Sequence, residues 1–271
     1  MNNNYLALLI LFCTSAFSEL RTPLDKGQYS TLQTFFSQQF SQRFDLYFEA
    51  FNGKEYLLEK KKIKFRLKNS RKKTIVQITQ EIGTATRNCG PHKVSWKKRV
   101  KFESKNQNLI RILLFKGFEI FKHLHSKDIV PLNVALDFDL QIRSLDFEGK
   151  ELLFKSLEKS GPYIFVPSHT NKKYRRKKSI SLGKGKKMKF TLGKTLERTQ
   201  KGLFLETYEL EAEDSKMNKK NINLYLKPFC RYLKKIKPSS EEDFEGIREK
   251  TLNLKLYLDK MPTFIFKKNE K

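Results

Sequence analysis

Apolar and charged positions alternate with a period of two over much of this chain. Between Phe44 and Glu81, Ile63, Phe65 and Leu67 interleave with Lys62, Lys64, Arg66 and Lys68, the pattern of a strand with one apolar and one cationic face. An aromatic-rich segment, Phe44 to Phe51, precedes it across the turn signal Asn52-Gly53. The β-branched run Thr74 to Ile82 follows after the polar turn Asn69 to Lys73. From Lys93 to Glu103, Val94, Trp96, Val100 and Phe102 share one side, with Lys98 as the exception, and Ser95, Lys97, Arg99, Lys101 and Glu103 share the other.

The same reading predicts a strand over Val134 to Arg143, turning at Glu148-Gly149 into a second over Lys150 to Leu157, and a short strand from Tyr163 to Val166. Ser179 to Leu182 and Met188 to Leu192 flank a hairpin tip at Gly183 to Lys187. Leu203 to Glu213 sets Glu209, Glu211 and Glu213 against Tyr208, Leu210 and Ala212. Asn221 to Lys227 and Thr251 to Asp259 complete the predicted strands, with the acidic loop Ser239 to Asp243 between them. Helical spacing predicts helices over Ser30 to Arg43, capped by Ser30, over Asn108 to His125, interrupted at Gly117, and over Phe229 to Ile236 after Pro228. Ser168 to Lys178 is polar and then strongly cationic, which predicts a mobile basic loop near residues 170–190.

Together these elements predict an α+β, mainly antiparallel β protein, a tunnel-like barrel or half-barrel with a few flanking helices. Charged strand faces would line a wet interior and apolar faces would pack outward against helices. The alternative is a sandwich with the apolar faces inside, because alternation fixes which residues share a face and not which face is buried.

Composition sharpens this picture. Of 271 residues, 56 are Lys or Arg and 29 Asp or Glu, for a formal net charge of +27, so the expected partners are anions: polyphosphate, an anionic membrane surface, a cell-wall polymer or nucleic acid. A hydrophobic content of 38%, with 23 Phe, suffices for a folded core. The short apolar run Leu6 to Phe12 and the small residues Ala16 and Ser18 predict a signal peptide over residues 1–18, leaving a single domain over 19–271. The expected location is therefore periplasmic or secreted, where nucleic acid is an unlikely partner. Cys13 falls within the predicted leader, while Cys89 and Cys230 form either one disulfide or two independent buried thiols.

Tyr47-Phe48-Glu49, Tyr56-Leu57-Leu58, Ile63 to Lys68 and Thr74 to Thr79 resemble the early strands of CYTH-type triphosphate tunnel proteins. Leu203 to Glu213, with its Glu-Leu-Glu-Ala-Glu run, is similar to that family's later glutamate-bearing strand. The resemblance implies an eight-stranded tunnel in which Lys64, Arg66, Lys68, Lys97, Arg99 and Lys101 grip phosphate oxygens. Glu209 and Glu211 would then hold magnesium or manganese. The family's Glu-x-Glu-x-Lys signature strand does not occur between Glu19 and Arg43, and Gln77 and Thr79 stand where the third strand should carry a lysine.

Other chemistries find little support. His123 and His125, two apart, point to different sides of a helix, and no Gly-x-Ser-x-Gly nucleophile motif occurs. Asp137 and Asp139 read as ion-pair partners of Arg143 rather than as an acid–base pair. The tip Gly183 to Lys187 precedes a strand rather than a helix, which excludes a Walker A loop. The expected function is binding of a phosphate-rich anion in a charged β tunnel, without catalysis. The alternatives are metal-dependent hydrolysis of a triphosphate or polyphosphate, and docking of Lys172 to Lys178 and Lys184 to Lys189 on anionic lipid or cell-wall polymer.

Overall fold

The computed structural model describes residues 15–36, 40–53, 55–70, 74–104, 112–113, 115–117, 119–120, 130, 132–183, 186–199, 204–214, 216–218 and 220–236. Eight antiparallel strands form a closed barrel: β1 (Ser15–Leu24), β2 (Phe40–Phe51), β3 (Ile63–Ser70), β4 (Thr74–Cys89), β5 (His92–Ser104), β6 (Ile164–Gly183), β7 (Lys186–Thr199) and β8 (Phe204–Asp214). Around the barrel their order is β1-β5-β4-β3-β2-β6-β7-β8, with β8 pairing back to β1. The barrel therefore closes, and the half-barrel and sandwich alternatives fall away. Residues 1–14 of the predicted leader, including its apolar run Leu6 to Phe12, the acidic loop Ser239 to Asp243 and the strand Thr251 to Asp259 lie outside the described residues. The cleavage point expected after Ser18 falls inside β1, whose Ser15–Ser18 pair with Lys98–Lys101.

Apolar strand faces point outward into two cores. One packs Leu46, Phe48, Phe65, Leu67 and Phe102 against helices α3 (Leu132–Ser144) and α4 (Lys150–Leu157). The described part of 112–120 is helical and contributes Leu113 and Ile120 to the same core. A Cβ added at Gly117 would come within 2.8 Å of Leu46 Cδ2, so the glycine that interrupts the predicted helix is what lets that helix approach β2. The second core packs Leu20, Phe190, Leu192 and Leu210 against α1 (Lys26–Gln33) and α5 (Ile222–Leu233). A disulfide joins Cys89 at the end of β4 to Cys230 on α5.

Several elements differ from the sequence expectation. Helix α1 starts earlier than predicted because Asp25, not Ser30, caps it: Asp25 accepts from the Gln28 N–H at 2.7 Å, while the Gln28 side chain accepts from the Asp25 N–H at 3.0 Å. Residues 132–144 and 150–157 are helices rather than a β-hairpin. Their alternation is compatible with both periods, but Ala135, Phe138 and Ile142 occupy one helical face and are buried, whereas Leu136 and Leu140 face outward. The strand predicted over Asn221 to Lys227 is instead the first half of α5, which starts at Ile222 after the N-cap Asn221 and continues through Pro228. The basic loop expected near 170–190 is instead the β6–β7 hairpin, and β6 alone runs for 20 residues. Its strand character is hidden in the sequence because Lys172, Arg176 and Lys178 on one side and Lys173, Arg175 and Lys177 on the other leave no apolar stripe.

Candidate anion-binding lumen

Period-two alternation sends every second side chain of each strand inward. All six expected anion contacts belong to this inward set: Lys64, Arg66 and Lys68 from β3, and Lys97, Arg99 and Lys101 from β5. Their surroundings divide them into two groups.

One part of the lumen is filled by ion pairs. Arg66 donates to Asp45 at 3.1 Å, to the Tyr47 hydroxyl at 2.6 Å and to Gln77 Oε1 at 2.8 Å. Gln77 passes the contact on, donating to Glu103 at 2.5 Å, so the residue found where a lysine was expected bridges a cation and an acid. Lys68 and Lys101 both pair with Glu103, at 2.9 and 3.3 Å. Arg43 pairs with Asp45 at 2.7 Å, and Arg175 with Glu211 at 3.4 Å.

The other part is a cavity of about 560 Å³. Lys64, Lys97, Arg99, Lys173 and Arg21 line it, with Glu81, Glu197 and Glu209 among them. Tyr47 stacks on His169 on the wall, ring centroids 4.2 Å apart. At the edge the Glu49 carboxylate accepts from the backbone N–H groups of Leu58, Ala50 and Glu59 at 2.6, 3.0 and 3.2 Å, which pins the one-turn helix α2 (Leu57–Lys60) to β2. Lys97 pairs with Glu81 at 3.0 Å, Arg99 with Glu19 at 2.6 Å, and Lys173 approaches Asp45 at 3.8 Å. Among the described residues Lys64 makes no ion pair, unlike Lys97, Arg99, Lys173 and Arg21 on the same wall.

The charges act on one another. Burial pushes the Lys64 ammonium down to about 8; Tyr47 opposes the shift, and Arg21, Arg99 and Lys173 reinforce it. Burial alone would raise the Tyr47 phenol, but Arg66 and Lys173 outweigh it and hold the group at about 7. Burial lowers His169, which lies in the same wall. Burial also brings Lys68 down to about 8, against its hydrogen bond to Glu103.

Glu209 and Glu211, expected as metal ligands, meet on a different cation. The Arg21 guanidinium contacts three carboxylates: Nε faces Glu19 at 2.9 Å, Nη1 faces Glu209 at 3.1 Å, and Nη2 is hydrogen-bonded to Glu211. Burial opposes ionisation of Glu211, yet Arg21 and Arg175 hold it well below the usual carboxylate range. Among the described residues, no group of three or more His, Cys, Asp or Glu side chains is arranged to hold a metal ion. As they stand, Glu209 and Glu211 do not fit magnesium or manganese. The Asp137 and Asp139 carboxylates lie outside the lumen altogether. Asp139 accepts from Arg143 at 2.6 Å and from the Phe165 N–H at 2.7 Å, and Asp137 pairs with Lys116, so both are structural partners.

Sequence reasoning missed Glu19 and Arg21 on β1, Lys173 and Arg175 on β6, and Asp45 on β2. A signal for the first pair was present: Phe17, Glu19 and Arg21 alternate as Phe-x-Glu-x-Arg, in the first strand, where the resembled family has Glu-x-Glu-x-Lys. The export pattern over residues 1–18 absorbed the first half of that strand.

The closed eight-stranded tunnel with a charged lumen is the architecture that the resemblance to triphosphate tunnel proteins implied. No family model matches the sequence, and no curated protein matches it. Among solved structures, a candidate adenylate cyclase from Bacillus halodurans aligns at 14% identity and a TM-score of 0.42, over 82% of this chain and 92% of its own. A candidate adenylyl cyclase from Hippeastrum, described as having a dominant triphosphatase activity, aligns at 14% identity and 0.41, over 88% and 96%. The capping-enzyme triphosphatase of Mimivirus aligns at 6% identity and 0.43, over 86% and 99%. At such identities and scores the alignments do not transfer residue roles, and what this lumen can do follows from its own side chains.

Proposed function

We propose that the protein binds a triphosphate-class anion, inorganic tripolyphosphate or the triphosphate arm of a larger molecule, in the open part of its barrel. The carrying observation is Lys64: a lumen ammonium with no carboxylate partner among the described residues, set in a cavity whose wall also presents Lys97, Arg99, Lys173 and Arg21. Phosphate oxygens would accept from these groups in charge-assisted hydrogen bonds, Lys64 first because it has no competing acid. An anion would also relieve the repulsion that Arg21, Arg99 and Lys173 exert on Lys64.

Hydrolysis of the bound triphosphate is the second reading, and the tunnel architecture favours it, because the resembled family is one of triphosphate chemistry. It needs a divalent metal that the Glu209 and Glu211 pair does not hold in its present arrangement. Calorimetric titration of the full chain with tripolyphosphate at low salt should give saturable binding that weakens as salt is raised. Orthophosphate and sulfate should bind far more weakly, since they reach fewer of the wall cations. Heat release indistinguishable from buffer would refute the binding reading. Phosphate released from tripolyphosphate when magnesium or manganese is added would establish hydrolysis.

A further inference from the structure

Three carboxylates converge in the lumen, Glu19, Glu209 and Glu211, and a protein side chain already stands between them. Arg21 reaches Glu19 with Nε at 2.9 Å, Glu209 with Nη1 at 3.1 Å and Glu211 with Nη2. Each nitrogen of its guanidinium therefore faces a different acid. Two further guanidiniums complete the neutralisation, Arg99 on Glu19 at 2.6 Å and Arg175 on Glu211 at 3.4 Å. Arg21, Arg99 and Arg175 thus offset the charge of these three glutamates, which weakens their pull on a divalent ion.

We infer that Arg21 is the built-in cation of this glutamate cluster, and that the lumen consequently takes its polyphosphate in the free, metal-uncomplexed form. The inference rests on the proposed anion site. Geometry and charge both support it. A magnesium-sized ion needs oxygen ligands converging at about 2.0–2.1 Å, with nothing between them, and here a planar guanidinium fills the common space. A divalent ion beside Arg21, Arg99 and Arg175 would also meet three positive charges at short range. Guanidinium does not lose its proton in the working pH range, so Arg21 remains a cation wherever these carboxylates are ionised. Arg21 also lines the cavity, so the group that holds the acids borders the space the anion would occupy. A metal-complexed polyphosphate would bring less negative charge to a wall whose cations are fixed, and would bind less tightly.

Two titrations of the wild-type chain test this, and neither depends on a variant folding. Manganese alone, followed by electron paramagnetic resonance of the free ion, should show no stoichiometric uptake. Uptake of one ion in the absence of any anion, lost in Glu209→Gln, would overturn the inference. Tripolyphosphate should bind in EDTA and bind about tenfold more weakly with excess magnesium, because complexation removes charge from the ligand. Binding that appears only when magnesium or manganese is present would also overturn it. Absence of tripolyphosphate binding under both conditions would strike the proposed function instead, leaving the manganese titration to decide the role of Arg21. Arg21→Gln should gain manganese uptake that the wild type lacks, and Arg21→Lys, which keeps one charge without the fork, should not.

Discussion

The two parts of the lumen contain the same residue types and differ in how their charges are compensated. In the filled part, each of Arg43, Arg66, Lys68, Lys101 and Arg175 lies against an acid, and Asp45 and Glu211 are almost wholly buried. In the open part, Lys64 has cations for neighbours and no acid in contact among the described residues. Buried, paired charges are part of what holds the barrel in its geometry, whereas Lys64, exposed to the cavity, meets the repulsion of Arg21, Arg99 and Lys173 that an anion would relieve. On the proposed reading, folding and binding fall to different side chains on the same strand: Arg66 and Lys64 are two residues apart.

The largest effect expected from breaking this contrast is on Glu211. Glu211→Ala should lower unfolding stability by about 3–5 kcal/mol in urea titration, since it removes the ion-pair partner of Arg175 and one of the three carboxylates around Arg21. A loss under about 1 kcal/mol would show that the filled part is no more structural than a surface ion pair. Lys64→Met should do the reverse. Tripolyphosphate affinity should fall at least about tenfold, the scale of one hydrogen bond to a charged group, while the melting temperature stays level or rises. A variant that melts much earlier but binds normally would merge the two parts into one.

The pH dependence is the subtlest readout. Lys64 carries its charge below about 8 and loses it above, so tripolyphosphate affinity should decline as pH rises through that value. The unfolded chain holds the same lysine proton up to its ordinary value of 10.5, so between about 8 and 10.5 unfolding takes up a proton and the stability of the empty protein rises with pH. Tyr47, ionising at about 7 in the fold against 10.0 ordinarily, adds to the same rise from about 7 upward. Calorimetry at pH 7, 8 and 9 checks the affinity arm. In Lys64→Met the affinity should lose most of its pH dependence, and a dependence that survives intact would move its origin to Lys68 or Tyr47.

Much of this arrangement is legible in the amino-acid sequence. Ile63 to Lys68, Lys93 to Glu103 and Phe204 to Glu213 announce their two faces by alternation, broken at Lys98 and Glu206, and those faces are the lumen and the outer cores of the barrel. Alternation does not say which face is inside; barrel closure decides that, and closure is a property of eight strands together. Residues 132–144 satisfy both periods at once, and only the burial of Ala135, Phe138 and Ile142 separates helix from strand. Lys173 and Arg175 escape notice because β6 is charged on both sides, so its two faces look alike in the sequence. Glu19 and Arg21 are overlooked for a different reason, since small and apolar residues just before them carry an export pattern and a strand pattern simultaneously.

The position of β1 bears on how the molecule comes to exist. It is the first of the eight strands to be synthesised, yet it sits between β5 and β8 and supplies Arg21 to the β8 glutamates, 190 residues along the chain in the case of Glu211. Neither the ring of strands nor the charge balance of its interior can be completed until Phe204–Asp214 has left the ribosome, so the earliest strand is an early segment with a late partner. Until then β1 has an unpaired edge and Arg21 lacks the Glu209 and Glu211 carboxylates. Contacts of that span make for slow closure, and for a nascent chain in which β1 must be kept from the wrong neighbour until β8 has been made.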